Sequence, residues 1–295
     1  MRYPKTHKEW GNIIPDGELM QLNQGLYGLR FTDIKSDPEL FVAPPAQWQP
    51  WTIVRREGPG EPVDGLVGSD SARLRLAPHG SLVIDRTNRT SVFTMRTPPS
   101  DAQLAHPYLA ATAAIAARWD GRESFHAGAF VIGGRVWGVL GEREMGKSSL
   151  LAVLARLELP VLTDDVLVLR DGLALAGPRC IDLREEAARR LRMGRTIGPV
   201  GTRERWRIML PAVAPELPLA GWISLEWADR TGIESVPPGE RFPRLLDNLT
   251  VVLDPLDPPI VLTLAALPMV TLRRPRSFDA LTASAQLLVA ELERM

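Results

Sequence analysis

Gly141-Glu142-Arg143-Glu144-Met145-Gly146-Lys147-Ser148 is the stretch on which the reading of this chain turns. It matches G-x-x-x-x-G-K-[ST], a spacing suited to cradling phosphate. Glycines at both ends let the backbone curl so that successive N–H groups converge on anionic oxygens. A helix that starts directly afterwards adds the positive end of its dipole. Lys147 is then within reach of β- and γ-phosphates, and Ser148 offers a hydroxyl oxygen to a magnesium ion. The phosphate-binding set read from this pattern is Gly141, Glu142, Arg143, Glu144, Met145, Gly146, Lys147, Ser148 and the adjoining Ser149.

The flanks agree with the motif. Residues 135–140 (Arg-Val-Trp-Gly-Val-Leu) read as a buried strand running into the loop, and residues 149–159, rich in Leu and Ala, read as a helix leaving it. Strand, loop and helix in that order are the context the pattern requires. Working outward, residues 125–132 predict a strand, Gly133-Gly134 a two-residue hairpin turn, and 135–140 its return. Residues 161–169 predict the next strand, with Asp171-Gly172 turning into 173–175. Antiparallel hairpins around the loop set this apart from strict strand–helix alternation in a doubly wound parallel sheet.

The outer parts are less regular. Residues 1–20 are polar and predict a loosely held arm. Residues 24–100 are strand-like and punctuated by Pro and Gly, which predicts an antiparallel sheet of short strands, with Trp48 and Trp51 in its core. Residues 104–119 predict an Ala-rich helix capped by Ser100 or Asp101, with Pro107 tolerated in its first turn. Residues 184–193 read as a helix, 222–227, 250–253 and 261–265 as late strands, and 277–292 as a final helix capped by Ser277. The organisation expected is a β-rich region over 1–103 and a nucleotide-binding unit over 104–295.

Composition narrows the function classes. With 45% hydrophobic and 24% charged residues, the 295-residue chain has the make-up of a globular protein with a sizeable core. Lys+Arg 35 balances Asp+Glu 35, so no global field favours nucleic acid or an anionic membrane. A single cysteine, Cys180, excludes an intramolecular disulfide and reads as a small buried side chain. The N-terminus has no apolar stretch of signal-peptide type, and a cytoplasmic location is expected.

Asp164-Asp165 sits between apolar runs, where two carboxylates are costly unless something cationic meets them. In a strand they point to opposite faces, which suits one for metal contact and the other for proton acceptance; the alternative is a solvated turn at a strand's edge. His126 precedes the hairpin and is open to either a structural or a chemical role. The run Arg189, Arg190, Arg192, Arg195, Arg203, Arg205 and Arg207 forms either part of a surface for an acidic partner or solvated charge paired with neighbouring glutamates.

Taken together, Phe125-His126-Ala127, the 141–148 loop, Thr163-Asp164-Asp165-Val166 and Ile181-Asp182-Leu183-Arg184 resemble the catalytic domain of HPr kinase/phosphorylase, itself similar to phosphoenolpyruvate carboxykinases. Residues 236–241 (Val-Pro-Pro-Gly-Glu-Arg) are a weaker match to a Pro-Gly-Arg segment. The resemblance covers 104–245 and implies an α/β fold with a mixed-sheet P-loop kinase core, here preceded by an antiparallel β-rich portion. It implies that Lys147 and the loop grip ATP or another nucleotide, that Ser148, Asp164 and Asp182 serve Mg2+, and that Asp165 takes the acceptor's proton beside His126. Arg184 and Arg241 would steady phosphate charge. The loop interior departs from the family's usual Ser and Gly by carrying Arg143, Glu144 and Met145. The function expected is an ATP-using, magnesium-dependent kinase acting on a serine-type hydroxyl of a peptide or protein, with a homo-oligomer suggested by the resemblance. The alternatives are a nucleotide-binding regulatory or scaffold protein without transfer, or an NTPase without a phosphoacceptor.

Overall fold

The computed structural model describes residues 23–63, 65–252 and 258–295. The arm expected over 1–20 and the end of the strand expected over 250–253 lie outside the described residues.

A nine-stranded mixed sheet carries the molecule. Its path runs Val161–Thr163, Ala127–Ile132, Arg135–Leu140, Glu216–Trp227, Leu173–Leu175, Leu167–Arg170 and Glu123–Phe125; Met269–Arg274 also pairs with Glu216–Trp227, and Gly232–Ser235 pairs with Met269–Arg274. Arg135–Leu140, Glu216–Trp227 and Met269–Arg274 run parallel to one another. Their carboxyl ends therefore open on one edge, where open α/β sheets place ligands.

Alternation along Arg135–Leu140 builds the two cores. Val136 and Leu140 face one apolar cluster with Trp222, Phe125 and the Ala-rich helix Leu109–Trp119. Trp137 and Val139 face the other, with Leu151 and Leu154 of helix Lys147–Arg156 and Leu281, Ala285 and Leu288 of helix Leu281–Leu292. Gly128 lets helix Lys147–Arg156 approach, because a Cβ there would lie 2.4 Å from Leu151 Cδ1 and 3.0 Å from the Asp164 carbonyl. The first cluster also takes in Phe31, Trp51 and Phe93 from the N-terminal strands, so apolar packing is continuous across residue 104. Trp48 and Trp51 are buried as expected, donating to Glu216 and Ser91. Cys180 is buried too.

Several expectations are corrected. The N-terminal four-stranded sheet is mixed: Thr52–Glu57 runs parallel to Thr90–Met95. The run 125–132 is two strands that part at His126, and 161–169 breaks after Thr163, whose hydroxyl donates to the Val166 carbonyl at 2.8 Å. The helix of 104–119 is regular only over Leu109–Trp119. His106 is extended (φ −150°, ψ 123°), the conformation a following proline favours. Ser100 does cap, but it caps the short Asp101–Gln103 turn with a reciprocal Gln103 bond. Residues 261–265 are helical, within Pro258–Ala265: the prolines occupy the start, where no N–H is needed, and Val261, Leu264 and Ala265 bury one stripe. The final helix begins at Leu281, without a Ser277 cap. In a basic stretch to which the sequence assigns no element, Arg195–Val200 and Arg203–Met209 form a hairpin that joins Cys180–Leu183 in a three-stranded sheet. Among the described residues, no helix is long and apolar enough to cross a membrane.

Candidate active site

The loop leaves the buried end of Arg135–Leu140 and delivers Lys147 as the first residue of helix Lys147–Arg156. Gly146, the residue before the helix, has left-handed φ 77° and no side chain to cap the first turn. The helix's first N–H groups have no intrahelical acceptors, so they remain for a ligand. Glu144 also takes a left-handed φ of 71°. Its carboxylate turns outward and meets Arg184 Nη1 at 2.9 Å, both side chains about half exposed. Lys147 folds back, its ammonium donating to the carbonyls of Gly141 and Glu142. Burial holds its pKa below the usual lysine range, against the pull of Asp165 and Asp164.

Below the loop, the break after Val161–Thr163 gives the two aspartates different environments. Asp164 is buried, only 3% exposed. Burial, with the neighbouring Asp165 charge adding to it, pushes its carboxyl up to about 7, while the Ser148 hydroxyl and the Asp182 N–H offset part of the rise. Its Oδ1 is buried with no hydrogen-bond partner. Asp165 reaches the cleft, 40% exposed, with Oδ1 3.5 Å from His126 Nδ1. Burial, then the charge on Lys147, keeps the His126 pKa below its ordinary value, so the imidazole is neutral near pH 7. The solvated-turn alternative thus applies to Asp165 alone, and the extended pair on opposite strand faces is replaced by a bend.

The remaining expected residues divide. Arg184 stands at the mouth with Glu144. Asp182 has a partner of its own: both its oxygens accept from Arg207, at 2.7 and 2.8 Å, and its side chain is sealed from solvent. That ion pair engages both carboxylate oxygens, and the backbone N–H of Asp182 serves Asp164. Arg241 is outside the site, donating to the carbonyls of Val236 and Leu267. The arginine run also divides, with Arg207 in the core, Arg189 on Glu185, and Arg190, Arg203 and Arg205 lining the cleft.

Three residues were missed. Asn248 accepts from the Gly141 N–H through Oδ1 at 3.3 Å, while its carbonyl accepts from His126 N–H at 2.7 Å, tying the loop's start to the histidine. His106 lies behind Asp182, its Nε2 3.9 Å from Oδ2. Arg274 packs against the loop from the neighbouring strand end. No short-range spacing signals any of them.

The loop, Asp164, Asp165, His126, His106, Arg184 and Arg274 line a cleft of about 990 Å³. The residues fit a magnesium ion of the kind that arrives with a nucleotide: an orphan carboxylate oxygen on Asp164 beside the Ser148 hydroxyl supplies hard oxygen donors, and phosphates and water complete such a shell. Among the described residues there is no group of three or more His, Cys, Asp or Glu that could hold a metal by itself.

No protein-family model matches the chain, and no curated protein matches it. Among solved structures it is similar to the Hpr(Ser) kinase/phosphatase from Coxiella burnetii, at 20% identity, over 58% of this chain and 98% of that one, with a TM-score of 0.28. That is a loose likeness, and the chemistry has to stand on the side chains.

Proposed function

We propose that this protein is a magnesium-dependent kinase that moves the terminal phosphoryl group of ATP to a serine-type hydroxyl on a peptide or protein. The observation that carries the reading is the pair of adjacent aspartates in unlike settings at the foot of the 141–148 loop. Asp164 is buried beside Ser148 with one oxygen free, and Asp165 faces the cleft beside a neutral histidine. Phosphoryl transfer asks little more of a protein than positioning, charge neutralisation and one base.

The roles follow from placement. The helix N-terminus and the loop amides bind the phosphates, and Lys147 exchanges its carbonyl partners for phosphate oxygens. Asp164 and Ser148 would hold magnesium, which when bound neutralises charge on the terminal phosphates. Asp165 accepts the proton of the acceptor hydroxyl as the new O–P bond forms and the bond to the leaving ADP breaks. His126 orients Asp165 without carrying a competing positive charge.

Labelled ATP, magnesium and a panel of serine-containing peptides test the reading. Asp165→Asn is expected to abolish labelled product while nucleotide binding stays near wild type, and Lys147→Ala to weaken both. Full activity in Asp165→Asn removes the base assignment. A second reading, a nucleotide-binding protein without transfer, is favoured by the outward Glu144–Arg184 pair across the mouth; binding with no labelled product on any acceptor would select it.

A further inference from the structure

Among the described residues two arginines are buried, and they are held in different ways. Arg207 is buried and meets both oxygens of Asp182. Arg274, 3% exposed at the carboxyl end of Met269–Arg274, has no carboxylate partner among the described residues. Its Nη2 donates to the Met145 carbonyl at 2.7 Å and approaches that of Gly146 at 3.4 Å, and its Nε has no acceptor. The guanidinium stacks on Trp227, 4.4 Å from the ring centroid. Gly146 accommodates it, since a Cβ there would lie 2.6 Å from Nη2.

An isolated buried charge is expensive, and burial alone brings the Arg274 pKa down to about 10. Carbonyl oxygens and an aromatic face relieve part of that cost, but neither carries a full negative charge. The group lines the same cleft as Lys147 and Ser148, directly behind the loop that those residues close. An anion seated in the loop is the counter-charge the fold lacks. Because C=O and N–H point opposite ways in a trans peptide, holding the Met145 and Gly146 carbonyls turns the Gly146 and Lys147 N–H groups away from Arg274.

We propose that Arg274 is a preset anion-binding cation of the 141–147 loop, serving the terminal phosphates of a nucleoside polyphosphate. This rests on the loop being a phosphate site, and it adds a binding residue to that site. The benefit scales with the charge on the ligand: largest for triphosphate and pyrophosphate, smaller for diphosphate, and least for monophosphate. It also separates Arg274 from Lys147, which leaves its carbonyl partners to reach the ligand, whereas Arg274 keeps its own.

The test is calorimetric titration of wild type, Arg274→Gln and Arg274→Lys with ATP, ADP, AMP and inorganic pyrophosphate, alongside the melting temperature of each unliganded protein. Arg274→Gln is expected to weaken ATP and pyrophosphate tenfold or more, ADP less and AMP least, as loss of a charge-assisted contact predicts. Arg274→Lys keeps the charge but gives up the planar fork that stacks on Trp227, so it is expected to weaken pyrophosphate by less than about tenfold. Equal weakening across all four ligands with a lower melting temperature would mean a structural arginine and overturn the proposal. So would unchanged pyrophosphate affinity in Arg274→Gln. Should Arg274→Gln not fold, a tenfold or greater loss of pyrophosphate affinity in a normally melting Arg274→Lys overturns a role through charge. Wild type binding neither ATP nor pyrophosphate would remove the phosphate site itself, an outcome distinct from a variant that binds like wild type.

Discussion

Asp164 and Asp182 are both buried and close enough that the N–H of one serves the carboxylate of the other, yet they are held in opposite ways. Asp182 has its cation. Arg207 meets both oxygens, and although burial works against ionisation, the pair holds the carboxyl below its ordinary range. Asp164 lacks one, and burial raises it. The difference separates a carboxylate that holds the wall together from one kept for a ligand. The same contrast divides Arg207 from Arg274, so the unpaired charges of both signs gather at the loop.

The largest consequence falls on Asp164. Asp164→Asn keeps the shape and removes the charge that would meet magnesium, so metal-dependent transfer is expected to fall by about 10²-fold or more, the scale of losing a key electrostatic group. Its effect on stability is opposite in direction. The folded carboxyl is raised from 3.8 to about 7, so the folded protein holds this proton more tightly than the unfolded chain does. The stabilising contribution is complete below about pH 4 and disappears as pH rises through about 7. Unliganded Asp164→Asn is therefore expected to match wild type in melting temperature near pH 4 and exceed it at pH 8. A mutant that melts lower than wild type at pH 8 would show that Asp164 is paired after all.

The opposite arm of the comparison is Arg207→Met. It leaves Asp182 ionised, buried and alone, and loosens the bonds Arg207 makes to the Ala102 and His106 carbonyls at 2.9 Å each. Denaturant unfolding is expected to show a loss of roughly 3–5 kcal/mol, with most of it recovered when Asp182→Leu is added. Asp182 contributes stability above its ordinary carboxylate range and loses it as pH falls, the reverse of Asp164. If Arg207→Met instead melts like wild type but loses its magnesium response, Asp182 belongs with the metal as the family resemblance implied.

Legibility followed sequence distance. The 141–148 loop, the Gly133-Gly134 and Asp171-Gly172 turns and the Asp164-Asp165 pair are local patterns, and turn chemistry at short range fixes their backbone, with left-handed φ at all four turn residues. The break after Thr163 is hidden because apolar residues continue on both sides, and its mark is a side-chain bond from Thr163 to the Val166 carbonyl. The ion pair of Asp182 with Arg207 lies 25 residues apart, across a strand pair, where no local pattern announces it. Asn248 and Arg274 meet the loop from 107 and 129 residues away, distances at which spacing carries no signal. Residues 261–265 read as a strand from their β-branched and apolar content, and the Pro258-Pro259 start and the contact of Trp222 with the Leu264 carbonyl decided otherwise.

The smallest expected effect tests whether the mouth belongs to the paired or the unpaired side of the comparison. Glu144 puts a negative charge on a loop meant for anions and holds a left-handed backbone that suits glycine better. Arg184 turns that charge outward, and an exposed pair of this kind contributes little to stability. Glu144→Gly should therefore leave the melting temperature close to wild type while ATP affinity rises a few-fold at low salt, a gain that fades as added salt screens the removed repulsion. The same substitution frees Arg184, which can then face the phosphates. A fall in affinity would mean that the Glu144–Arg184 pair is itself part of the nucleotide's mouth, and that the loop's unusual interior is an adaptation for binding instead of a burden on it.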